Sequence, residues 1–142
     1  MKAPLAARLA LGFLCVQALL VGIPASFAPA SFYADFPFFS SWVALLPPFN
    51  SHLVTDVGGL YLGFAVLFGW AAVRPSAALV RPLCAGWALA AALHLLFHVA
   101  NLERFGALDA VAEIGGLLGV LALPGLAWWA VGARTAAAGR SG

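Results

Sequence analysis

Apolar residues run through this chain in four long blocks, at residues 9–30, 53–73, 83–100 and 107–131. Ionisable residues enter or border three of these blocks in pairs four apart, His52/Asp56, His94/His98 and Asp109/Glu113. A helix rising ~1.5 Å per residue needs ~20 mostly apolar residues to cross ~30 Å of hydrocarbon. Each block comes close to that length, so the pattern predicts four transmembrane helices. The breaks are Pro37, Pro47 and Pro48 in the first loop, Arg74-Pro75-Ser76 and Arg81-Pro82 in the second, and residues 101–106 in the third.

Composition agrees with the pattern. The 142 residues are 64% hydrophobic and 8% charged, with a mean hydropathy of +1.02, whereas a soluble domain is about a quarter charged. The fold class that follows is all-α, a single four-helix transmembrane bundle spanning residues 1–142. A net charge of +2 with seven basic residues dispersed along the chain excludes a nucleic-acid surface. The lipid bilayer is the expected partner, with a second copy or other membrane subunits as further candidates.

Orientation follows from the basic residues. With four spans, Lys2, Arg8, Arg74, Arg81, Arg134 and Arg140 fall on one side and Arg104 on the other, so the positive-inside rule puts both termini in the cytoplasm. Trp70, Trp128 and Trp129 lie near the cytoplasmic ends of spans two and four, as an interfacial aromatic belt requires. Lys2 and Arg8 ahead of an apolar run ending in Ala25-Ser26-Phe27-Ala28 also fit the outline of a cleaved signal peptide. The run is nearer a full span than the usual ~7–15-residue signal core, which favours retention.

Four spans set the polar pairs at one membrane face and in two layers. His52, His98 and Asp109 are expected near the extracytoplasmic surface, and Asp56, His94 and Glu113 about a turn deeper. Helical spacing puts Gly59 and Gly63 on the stripe of His52 and Asp56, so this stripe is expected to face another helix. Gly116 shares the stripe of Asp109 and Glu113 in span four, with Gly115 and Gly119 on a neighbouring face, and Trp87, Ala91, His94, His98 and Asn101 share a face of span three.

Six ionisable groups near one end of an apolar bundle form a candidate site, because charge is expensive in hydrocarbon. Imidazole and carboxylate ligands suit zinc, iron, manganese or copper, and two ligands at i and i+4 reach one ion. This reading makes Asp56, His94, Glu113, His52, His98 and Asp109 the metal set and the protein a metal or redox accessory. The Glu-x-x-His spacing of carboxylate-bridged bundle sites is absent. Heme between His52 and His94 or His98 needs fewer ligands and leaves the acids unexplained. A second reading is a proton relay or a small-ligand site, since histidine titrates near neutral pH, with Tyr61 and Gln17 in reach of the path. A third is structural: Asp109 caps a helix, His52 and His98 are wet, and no site exists. Nothing identifies a catalytic step, so enzymatic activity is left open.

Residues 31–51 hold Phe32, Tyr33, Phe36, Phe38, Phe39, Trp42 and Phe49 with Asp35 as the one charge. They read as a segment lying in the interface, either anchoring the outer surface or covering the polar cluster as a lid. Cys15 and Cys84 lack Cys-x-x-Cys spacing and read as small packing residues.

Three runs carry a resemblance: Ser31-Phe32-Tyr33-Ala34-Asp35-Phe36-Pro37, the stretch from Pro48-Phe49-Asn50-Ser51-His52 to Asp56-Val57-Gly58-Gly59-Leu60, and His94-Leu95-Leu96-Phe97-His98. Together they resemble a group of uncharacterised bacterial four-span membrane proteins across nearly the whole chain. The segment from Asp56 to Gly63 is similar to the second span of DoxX-like proteins. The resemblance implies a four-helix fold in the bacterial inner membrane and, through DoxX-like relatives, a respiratory or redox accessory role. It also implies an acid where this chain has Ser51 and a third histidine where it has Asn101, so two of the group's potential ligands are missing here.

Overall fold

The computed structural model describes residues 4–37 and 40–138, with side chains as far as residue 132. It consists of α1 (Leu5–Phe27), α2 (Pro29–Asp35), α3 (Ser51–Val73), α4 (Ala77–Val99) and α5 (Ala107–Ala138), with 3₁₀ turns at Val43–Leu45 and Leu102–Arg104. No strand occurs among the described residues. Four helical stretches, α1, α3, α4 and residues 107–132 of α5, are long and apolar enough to cross a membrane, with hydropathies of 2.0, 1.5, 1.6 and 1.8.

Side-chain caps set two of the starts. Asn50 Oδ1 accepts from the Leu53 N–H at 3.1 Å, and Ser76 Oγ accepts from the Leu79 N–H at 3.3 Å, each satisfying a donor that the first helical turn leaves open. The Ser76 cap moves the third span's start to Ala77, six residues before the expected 83. Arg81-Pro82 is therefore not a loop. Pro82 sits in the second turn, where its missing N–H removes one intrahelical bond and the helix continues. Pro24 and Pro124 are likewise absorbed within α1 and α5.

Packing is uneven around the bundle. α1 lies against α3 along most of its length and also against α5, and α4 packs on α5. The α1 seam is built from small residues, Ala7, Ala10, Ala18, Gly22 and Ala25 with Leu11 and Leu14 between them, all buried. Opposite them lie Gly58, Ala65, Phe68 and Ala71 of α3. The closest approach is at Gly58, where an added Cβ would come within 2.5 Å of both the backbone nitrogen and Oγ of Ser26. Only glycine fits there.

This seam corrects the expected contact stripe. A Cβ on Gly59, Gly63, Gly115, Gly116 or Gly119 would meet nothing within 4 Å, so those glycines look outward from the chain. The next residue round the helix, Gly58, carries the contact instead. A shift of one position turns a helix face by ~100°.

Between α3 and α4 the backbones stay apart and aromatic rings fill the gap. Trp87 of α4 meets Tyr61, Phe64 and Phe68 of α3 edge-on, with centroids 5.3, 4.9 and 5.2 Å away, the T-shaped geometry that ring quadrupoles favour. Cys84 is buried one turn from Trp87, and the Cys15 thiol donates to the Ala65 carbonyl at 3.3 Å. Both cysteines are free and serve packing.

The outward faces are apolar. Leu9, Phe13, Leu60, Val66, Leu89, Leu93, Val111 and Leu118 are all at least half exposed, far more apolar surface than a water-soluble monomer tolerates. Lipid is the solvent this surface fits, in keeping with four helices long and apolar enough to cross a membrane.

The first loop folds on itself. The Tyr33 hydroxyl donates to the Ala44 carbonyl at 3.4 Å, and the Tyr33 and Phe49 rings lie 4.9 Å apart. Its short helix α2 rests on α1 and α3. Phe38 and Phe39 fall outside the described residues, as do Lys2, Arg140 and the side chain of Arg134.

Candidate functional site

The polar feature inside the bundle is a histidine facing a glutamate. His98 stands in the last turn of α4, and Glu113 in the second turn of α5. Packing of these helices sets His98 Nδ1 2.7 Å from Glu113 Oε1, with side chains only 10% and 6% exposed. The contact is close without having the alignment of a hydrogen bond, and Glu113 Oε2 is buried without a hydrogen-bond partner among the described residues. A charge so placed costs several kcal/mol unless a partner compensates it, so each group makes the other tolerable.

Aromatic rings close the surroundings. Phe105, itself 8% exposed, lies 6.0 Å from the His98 ring, and Phe97 lies 5.9 Å from it on the same helix. His94 packs edge-on against His98 with centroids 4.5 Å apart. Unlike His98 it is exposed on the outside of the bundle. The three side chains therefore step from the surface inward, His94 to His98 to Glu113.

The other expected members lie elsewhere. Asp56 is 57% exposed on the outward face of α3, where its Oδ2 is 3.3 Å from Nε2 of His52, which is 86% exposed. Asp109 is exposed in the first turn of α5, where a negative charge is favoured by the helix dipole. Asn101 donates from Nδ2 to the Phe97 carbonyl at 2.8 Å, a local bond at the end of α4.

The expected transition-metal set of Asp56, His94, Glu113, His52, His98 and Asp109 is thus not assembled. No group of three or more His, Cys, Asp or Glu side chains among the described residues is placed to hold an ion. The physical reason is the packing: α3 gives its small-residue face to α1, which turns Asp56 away from the α4–α5 interface. The expected layers change too. His98, expected shallow, and Glu113, expected a turn deeper, are in contact, the side chains bridging between helices because each tilts toward its own helix N-terminus. Phe105 escaped the sequence reading. Its signal was present as the one aromatic residue in the connection between the third and fourth spans.

Compared with known proteins, the chain matches no family model, no curated protein and no solved structure. Function has to be argued from these side chains.

Proposed function

We propose that this is a bacterial inner-membrane protein with both termini in the cytoplasm, whose working site is a proton-exchange pair formed by His98 and Glu113. The observation that carries the reading is the 2.7 Å contact between two buried groups of opposite type. One acid and one base sharing a proton remain net neutral whichever atom holds it. The proton moves between Glu113 and His98 without leaving a net charge in the apolar surroundings. His94, one turn deeper on α4 and in ring contact with His98, is the neighbouring imidazole with which the pair can exchange its proton.

Orientation rests on charge. Arg8, Arg74 and Arg81 lie at the end opposite to Arg104, the asymmetry that sets cytoplasmic loops. The pair then belongs to the extracytoplasmic half. Glu113 Oε2, buried and without a hydrogen-bond partner among the described residues, supports a second reading of the same pair as a site for a small hydrogen-bond donor.

Infrared difference spectroscopy of the protein in lipid nanodiscs tests the pair. A pH step is expected to give a carboxyl C=O band and imidazole ring bands that change together. Glu113→Gln should remove the carboxyl band and His98→Gln should shift it. If the carboxyl band stays the same in His98→Gln, the two groups do not share a proton and the proposal fails.

A further inference from the structure

The opposite end of the bundle gathers positive charge without any Asp or Glu side chain. All five acidic residues lie between residues 35 and 113: in α2, in the second turn of α3, in the second 3₁₀ turn and in the first two turns of α5. None lies where α1 begins, α3 ends and α4 begins. Arg8, Arg74 and Arg81 lie there, all exposed.

Their side chains are held by uncharged groups. The Arg8 guanidinium donates through Nη2 to the carbonyl of Val73, the last residue of α3, satisfying one of the acceptors that a helix end leaves open. That bond brings Arg8 beside Arg74, the next residue. Arg74 lies over the Trp70 ring with its Cζ 5.3 Å from the centroid, and Arg81 lies over Trp128 at 5.8 Å. Only Pro75 and Ser76 separate Arg74 from α4, whose second turn carries Arg81. The three arginines thus share one end of the bundle, Arg8 beside Arg74 and Arg81 a short turn away along the chain, at the level marked by exposed Trp70, Trp128 and Trp129, where a headgroup region lies.

We propose that Arg8, Arg74 and Arg81 form a binding site for the phosphate headgroup of an anionic phospholipid. Guanidinium groups bind phosphate oxygens in a bidentate fork. A phosphodiester supplies the negative charge that the acidic side chains, all placed elsewhere, do not bring to this end. The neighbouring tryptophans and apolar helix faces accept the acyl chains, which a free phosphate lacks. The anion chosen is therefore a lipid.

Native mass spectrometry in a neutral detergent tests this, with phosphatidylglycerol and phosphatidylcholine as probes. Wild type is expected to prefer phosphatidylglycerol by about fivefold or more, Arg74→Gln/Arg81→Gln to lose the preference, and Arg104→Gln at the far end to keep it. Retention by the double variant, or equal loss in Arg104→Gln, would overturn the site. Inorganic phosphate serves as a competitor: displacement of the lipid at equal concentration would overturn the lipid assignment. Should the double variant not fold, a salt titration of wild type decides. The preference must shrink as ionic strength rises from about 0.05 to 0.5 M, where the Debye length falls below about 5 Å, and a salt-independent preference overturns the proposal.

Discussion

His98 Nδ1 lies 2.7 Å from Glu113 Oε1 across the α4–α5 interface, and both side chains are nearly excluded from the surface. The stability of each residue's position is tied to the other. Glu113→Ala and His98→Ala should each cost about 1–3 kcal/mol, because each leaves a buried polar group without its partner. The double substitution should cost less than the two singles added together. Chemical unfolding of the four proteins in mixed micelles gives the coupling, and strict additivity would show that the contact carries no energy.

Gly58 and Gly59 are adjacent and have opposite consequences. Gly58→Ala places a methyl within 2.5 Å of Ser26 backbone and side chain, an overpacking expected to cost about 1–3 kcal/mol. Gly59→Ala and Gly63→Ala point into open space and should stay within about 0.5 kcal/mol of wild type. The same unfolding assay ranks them. A larger loss at Gly59 or Gly63 than at Gly58 would mean that these outward glycines contact another chain.

Trp87 spaces α3 from α4 through three ring contacts. Trp87→Ala is expected to cost about 2 kcal/mol, less than the ~3–5 kcal/mol typical of a water-soluble core, because lipid tails solvate apolar side chains as well as the bundle does. Trp87→Phe should recover part of the loss.

His52 and Asp56 form an exposed pair on a different helix from His98 and Glu113. Asp56→Asn should change stability by under about 1 kcal/mol and leave the infrared bands of the buried pair unshifted. A shift in those bands would reveal a connection between the two pairs.

Topology is open to cysteine labelling in a background without Cys15 and Cys84. Ser40→Cys and Glu103→Cys are expected to react with a membrane-impermeant maleimide on intact cells. Ala78→Cys should react only after permeabilisation. The reverse pattern would invert the assigned orientation.

Much of the architecture was legible because hydrophobic length is a one-dimensional property. Four apolar blocks of near-span length yield four helices whatever their neighbours. Their limits were less legible, since Ser76 and Pro82 alter the start of α4 only through a cap and a tolerated helix position. His98 and Glu113 were readable as candidates by residue type. Their pairing was not, because helix spacing fixes angle along one element and says nothing of the stagger between two.

Helicity, apolarity and charge asymmetry follow from residue type and periodicity along the chain. Which face of α3 is buried, and with it which acid lies inside, follows from packing against α1. Gly58 at the α1 seam turns Asp56 outward, and the packing of α5 on α4 brings Glu113 into contact with His98. Rotation and stagger of packed helices are settled by contacts among residues distant in sequence, which no local pattern encodes.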